Sequence, residues 1–83
     1  MIYDEIASAA VRSIKMPVDM TVDIVDLGKY IGIRFYESEW AHLSEAERYR
    51  MGIYFEAVRK TLAALNIPAT LDPVYDTPGI QKI

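Results

Sequence analysis

Residues 18–36 read VDMTVDIVDLGKYIGIRFY and decide the fold, because apolar and polar side chains alternate on both sides of a turn. Alternation with a period of two is typical of a β-strand that buries one face. The register that puts every apolar residue on one face has the pairs Ile24–Ile31, Val22–Ile33 and Met20–Phe35. It leaves residues 26–29 as the loop, in which Gly28 can adopt positive φ. The stretch therefore predicts a β-hairpin.

A helix is predicted on each side of this hairpin. Residues 3–15 have apolar residues at spacings of three and four, and Pro17 ends that helix. After the hairpin, Ser44 and Glu47 match the capping box that marks a helix N-terminus. Asn66 and Pro68 end this second helix. Its apolar stripe consists of Met51, Tyr54, Phe55, Val58, Leu62 and Leu65.

Residues 69–75, ATLDPVY, can form a third strand. Pro73 would confine that strand to the edge of the sheet, because proline donates no backbone hydrogen bond. We therefore expect an α+β fold of order α-β-β-α-(β), in which two helices cover one face of a small single-layer antiparallel sheet. Residues 1–75 would make up this one domain, and residues 76–83 would form a turn and a loose tail.

Composition and charge argue against a membrane-spanning or nucleic-acid-binding protein and indicate exposed apolar surface. The chain has 83 residues, of which 52% are hydrophobic, with a formal net charge of −3 and no cysteine. A domain of this size buries only about 60% of the surface that its unfolded chain exposes, so part of the apolar surplus is expected on the surface or against a partner. The lack of cysteine favours a cytoplasmic location. No apolar run is long enough to span a membrane, and the acidic balance disfavours nucleic acid as a partner.

The residue pattern gives little support to catalysis or to a metal site. His42 is the only histidine, and Ser44 beside it is explained by helix capping. Asp19 and Asp23 share one strand face but lie about 13 Å apart along it, which is too far for one ion. The glycines form no phosphate-binding loop, and no small-molecule substrate is implied. We therefore expect a protein that is not an enzyme and that has no cofactor and no metal.

Aromatic residues indicate where a partner would bind. Tyrosine, tryptophan and arginine dominate protein–protein hot spots, because they bury a large area while keeping a polar tip. On the outer face of the hairpin and in the segment after it, the predicted protein-binding residues are Tyr30, Arg34, Tyr36, Glu39 and Trp40. On the second helix, the predicted oligomer contacts are Tyr49, Gly52 and Ile53, with Gly52 at a close crossing with another backbone.

The sequence thus predicts a non-enzymatic protein-binding module that docks on a larger protein, as a small inhibitor or accessory factor does. One alternative is a structural subunit of a homo-oligomer or larger assembly, held together through the second helix. Another alternative is a small nucleic-acid-binding factor, whose binding would weaken steeply with salt.

Overall fold

The computed structural model describes residues 2–76. It confirms the α+β class and the order α-β-β-α-β, and it adds one short helix that the sequence did not predict, Glu37–Ala41, before the second predicted helix. The elements are α1 (Ile2–Arg12), β1 (Val22–Asp26), β2 (Ile31–Tyr36), α2 (Glu37–Ala41), α3 (Glu45–Ala64) and β3 (Ala69–Val74). The strands form one sheet of order β1-β2-β3, so β2 is the central strand. Of the predicted C-terminal tail, only Asp76 lies within the described residues.

The first helix is shorter than the predicted range of 3–15. It ends at Arg12, where the Ser13 hydroxyl donates a hydrogen bond of 2.6 Å to the Ala10 carbonyl. The backbone N–H of Ser13 donates to the same carbonyl, and that of Ile14 donates to Val11. A serine that competes for a backbone acceptor in this way favours helix termination.

The predicted hairpin exists, but its predicted register is wrong by two residues. Val22 lies opposite Phe35, and Ile24 lies opposite Ile33. A shift of two keeps every side chain on its predicted face, so the alternating pattern alone cannot detect it. The turn selects the register, because the Asp26 carboxylate accepts the Gly28 N–H at 2.8 Å and Gly28 has φ of +95°. The loop is therefore residues 27–30, and residues 18–21 precede the strand.

Both ends of α3 follow the sequence pattern. At the start, Ser44 and Glu47 form the predicted capping box. At the end, Asn66 has φ of +63°, and the N–H groups of Asn66 and Ile67 donate to the carbonyls of Ala63 and Leu62. These two bonds make a Schellman motif, which ends the helix and turns the chain towards β3. The predicted apolar stripe of this helix is wrong at its last residue, Leu65. That side chain is half-exposed because the helix ends before it reaches the core.

The third strand makes the sheet mixed rather than wholly antiparallel. β3 pairs parallel to β2, with Ile31 opposite Ala69 and Phe35 opposite Pro73. The direction follows from α3, which carries the chain back to the starting end of β2. The Ile31 N–H donates to the Pro68 carbonyl, so alternate residues of β3 face β2 and Pro73 faces the free edge. Pro73 therefore costs the ladder no hydrogen bond.

The core lies on one side of the sheet, where α1 and α3 pack. Ile31, Ile33 and Phe35 of β2 point into it, whereas Gly32, Arg34 and Tyr36 point to the opposite, outer face. The remaining buried core residues are Ala7, Val11, Met51, Tyr54, Phe55, Val58, Leu62 and Ile67. Within residues 2–76, no helix has the length and apolar character needed to cross a membrane.

Candidate protein-binding surfaces

The outer face of the sheet holds two of the five predicted protein-binding residues, Arg34 and Tyr36. The Arg34 guanidinium forms an ion pair with Asp72 of β3, with Nη2 and Oδ2 2.7 Å apart. The observed register puts Asp23 across from Arg34, but the ion pair goes to the other neighbouring strand. Arg34 is thereby held at the centre of the outer face.

The other three predicted residues lie elsewhere, so the five do not form one patch. Tyr30 is exposed in the hairpin loop, at the opposite end of β2 from Tyr36. Glu39 lies on α2, where its carboxylate accepts the N–H of Thr21 at 2.6 Å and the Thr21 hydroxyl at 3.0 Å. Glu39 thus links the segment before β1 to α2 and stabilises the fold.

Trp40 turns from α2 towards the core side of the sheet. Its ring lies 5.5 Å from that of Phe35 and 6.3 Å from that of Phe55, measured between centroids. The Trp40 side chain is only partly buried, so one part of it supports the core and another meets solvent. An aromatic ring in this position can contact a partner without reorganising the fold.

Polar contacts from two distant segments hold α2, and hence Trp40, in place. The Asp76 carboxylate accepts the Ser38 N–H at 2.9 Å and the Ser38 hydroxyl at 2.7 Å. These two hydrogen bonds hold the pKa of Asp76 below its ordinary value. At the other end of α2, the Arg48 guanidinium donates to the carbonyls of Trp40 and Ala41. Asp76 therefore supplies the N-terminal cap that Tyr36 cannot supply.

An open cleft of about 670 Å³ lies between α3, Trp40 and the start of β3. Its apolar lining is formed by Phe35, Trp40, Phe55, Ala69 and Leu71, and its other lining residues are Gly52, Glu56, Arg59 and Thr70. Leu71 remains 41% exposed although its side chain points to the core side of the sheet. On the rim, Glu56 and Arg59 form an ion pair with a distance of 3.1 Å. We call this feature the Trp40 cleft.

The predicted oligomer contacts form one exposed strip on α3. Tyr49 is 72% exposed and Ile53 is 56% exposed, and Gly52 lies between them beside the Trp40 cleft. A Cβ atom at Gly52 would have no neighbour within 4 Å. The predicted close crossing at Gly52 is therefore not made by any described part of this chain.

Gly32 differs from Gly52, because neighbouring side chains of the same chain leave no room for a Cβ atom at Gly32. A Cβ atom there would come within 2.7 Å of Leu27 Cδ1 and 2.9 Å of Val25 Cγ2. Gly32 thus lets the side chain of Leu27 lie over the outer face of the sheet.

His42 and the nearby Ser38 have separate hydrogen-bond partners in the structure. The Ser38 hydroxyl donates to Asp76, and His42 Nδ1 donates to the Ser38 carbonyl at 2.7 Å, so the hydroxyl and the ring are not paired with each other. Across residues 2–76, no three histidine or carboxylate side chains come together as a group able to hold a metal ion.

The sequence singled out Trp40 and Gly52 but missed that they share one cleft. The other apolar residues of the cleft come from β2, α3 and β3, which are far apart in the chain. The available signal was Gly52 itself, a glycine inside a helix where alanine would be more stable.

Comparisons with known proteins find no relative. No protein-family model matches the sequence, no curated protein matches it, and no solved structure matches the fold.

Proposed function

We propose that this protein is a non-enzymatic protein-binding module, which docks on a larger protein by taking an apolar side chain of that protein into the Trp40 cleft. The observation that carries the proposal is the coincidence of the cleft with Gly52. A glycine inside a helix costs up to about 1 kcal/mol relative to alanine. Nothing within the described chain needs the space at Gly52, whereas an incoming side chain would.

The lining of the Trp40 cleft determines the chemistry of the partner group. Aromatic and aliphatic side chains make most of the surface, and the charges of Glu56 and Arg59 neutralise each other at the rim. A charged anchor would therefore lose its hydration without gaining a buried counter-charge. An aromatic or branched aliphatic anchor would instead stack on Trp40 and bury a large apolar area, as hot-spot residues do.

Two matched variants at exposed positions of α3 test this proposal. Gly52→Leu fills the cleft, whereas Ala64→Leu adds the same side chain to an exposed position of α3 outside the cleft. Each protein is immobilised and exposed to an extract of its own cells, and the retained proteins are quantified by mass spectrometry. We expect one protein to be retained by the wild type and by Ala64→Leu but lost with Gly52→Leu.

A photoreactive side chain at Glu56 then identifies the contact. Glu56 is exposed and lines the Trp40 cleft from α3, so a crosslink from it should reach an apolar residue of the retained protein. Identical retention by the wild type and Gly52→Leu, or crosslinks that reach only charged residues, would contradict docking at the cleft.

Self-association through α3 is a second candidate, favoured by the exposure of Tyr49 and Ile53 on either side of Gly52. Two helices could approach closely there, because Gly52 presents no side chain. The test is the absolute solution mass by light scattering over a concentration series. A dimer that Ile53→Lys converts to a monomer would support this candidate, and a monomer at every concentration would exclude it.

A further inference from the structure

The two edge strands of the sheet differ in how well they are protected against pairing with a further strand. On β3, Pro73 faces the free edge and blocks a further strand at that end, because it offers no N–H. β1 contains no proline, and its five residues make a regular ladder with β2. Among the described residues, no element pairs with its other side. An uncovered regular edge is a template for another strand.

The hydrogen-bond pattern identifies which backbone groups of β1 this edge presents. The Leu27 N–H donates to the Tyr30 carbonyl, so the pairs Asp23–Arg34 and Val25–Gly32 are the hydrogen-bonded pairs of the hairpin. The N–H and C=O groups of Val22, Ile24 and Asp26 therefore point away from β2. No hydrogen bond to these groups occurs within residues 2–76.

A groove of about 460 Å³ runs between this edge and α1. Its lining residues are Ser8, Val11, Arg12, Val22, Asp23, Ile24 and Val25. A strand edge beside a helix is the arrangement that strand-adding domains use to hold an extended peptide, with main-chain bonds for affinity and alternate side chains for specificity. We call this feature the β1 groove.

The side chains around the β1 groove specify two different faces for an added strand. Residues opposite Val22 and Ile24 would point inwards, against Val11 and under Arg12, where apolar groups fit and positive charge is repelled. Residues opposite Asp23 and Val25 would point outwards, beside the exposed Asp23 carboxylate. Within the described residues, the Asp23 carboxylate has no ion pair, because Arg34 is bound to Asp72.

Charge also decides between a foreign strand and a second copy of this chain. Asp19 lies shortly before β1, and Asp23 and Asp26 lie within it. Two copies paired along this edge would therefore bring carboxylates of like charge close to one another. Like charges on paired strands are destabilising, whereas opposite charges stabilise the pair by about 0.2–1 kcal/mol. The edge thus repels its own copy and attracts a basic strand.

We infer that β1 receives an extended segment of a partner protein in which apolar residues, pointing into the β1 groove, alternate with lysine or arginine residues beside Asp23. This site lies on the opposite edge of the sheet from the Trp40 cleft, and it does not depend on the function proposed for that cleft. A negative result for one site would therefore not contradict the proposal for the other.

The test uses a six-residue peptide of alternating lysine and valine and the full chain, observed by amide NMR. The N–H groups of Val22, Ile24 and Asp26 should exchange with solvent about tenfold more slowly at saturating peptide, since they gain partners on binding. The amides of Asp23 and Val25, already bonded within the hairpin, should change little. A peptide of alternating glutamate and valine should give no protection.

Backbone methylation of the peptide supplies a matched control that leaves the protein untouched. In a peptide added antiparallel to β1, valine residues opposite Val22 and Ile24 would direct their N–H groups at β1, whereas the lysine N–H groups would point away. Methylation of the valine nitrogens should therefore abolish protection, and methylation of the lysine nitrogens should preserve it. On the protein side, Asp23→Lys should reverse the preference, so that the glutamate peptide protects the same three amides.

Three results would overturn the inference. The first is no protection of Val22, Ile24 and Asp26 at several millimolar lysine–valine peptide. The second is equal binding by the two methylated peptides, because strand addition requires them to differ. The third is protection of these amides without peptide that grows with protein concentration and with salt, which would assign the edge to a second copy.

Discussion

Arg34 at the centre of β2 is joined to Asp72 of β3 through two contacts to one carboxylate oxygen. Arg34 Nε donates to Asp72 Oδ2 at 2.8 Å, and Nη2 lies 2.7 Å from the same atom. Both side chains are about one-third exposed, so solvent weakens the attraction but does not remove it. The pair links the hairpin to the parallel strand on the outer face.

Replacing Asp72 tests this link. Asp72→Asn should lower the free energy of unfolding by about 1 kcal/mol, because it removes the ion pair and keeps the shape. The measurement is urea denaturation, with Asp23→Asn as the control on the other side of Arg34. An equal loss for both variants would mean that Arg34 is shared between the two aspartates in solution.

Alanine at Gly32 should destabilise the fold. The added Cβ would lie within 3 Å of side-chain atoms of Val25 and Leu27, and Val25 is stiff because it is β-branched. We expect a loss of about 1 kcal/mol or more in unfolding free energy, as overpacking typically costs. The double variant Gly32→Ala, Val25→Ala should recover part of that loss. Additive losses would contradict the assigned contact.

Alanine at Gly52 should have the opposite effect on stability. The position is exposed, lies inside α3 and has open space around its Cβ direction. Unfolding free energy should therefore rise by up to about 1 kcal/mol, as for a glycine-to-alanine change in a helix. Thermal denaturation measures the rise, and the retention assay measures partner binding by the same variant. A more stable protein with weaker partner binding is the combination expected if glycine is kept for docking.

Protonation of Asp76 in acid should break the hydrogen bonds that hold the start of α2. The folded-state pKa of Asp76 lies below its ordinary value of 3.8, because Ser38 donates two hydrogen bonds to the carboxylate. A depressed carboxyl pKa stabilises the fold fully above the unfolded pKa, and this stabilisation is lost as pH falls through the folded pKa. NMR titration should show the Asp76 carboxyl and the Ser38 amide changing together below pH 3.8.

The variant Asp76→Asn provides the control for that titration. It should remove the pH response of the Ser38 amide while leaving that of Ser44, whose amide is bonded to the separate carboxylate of Glu47. The pKa of Glu47 is also lowered, mainly by its hydrogen bonds with Ser44, so both carboxylates titrate in acid. A Ser38 response that persists in Asp76→Asn would assign it to another group.

Much of the fold can be predicted from local pattern alone. The alternation in residues 18–36 assigns each side chain to a face, and the Ser44–Glu47 capping box starts α3 where the structure has it. These signals work because they depend on neighbours in the chain, whose spacing is set by helix and strand geometry. The same reasoning identified Trp40 and Gly52 as residues that need an explanation.

Tertiary structure decided what depends on distant parts of the chain. The hairpin register is the exception, because the two-residue shift keeps every face unchanged and a local contact, the turn between Asp26 and Gly28, selects it. The short helix α2 is capped by Asp76, which lies 38 residues beyond Ser38 and has no local signal. The Trp40 cleft and the β1 groove exist because packing brings together separate elements, and their chemistry belongs to that packing rather than to any one segment.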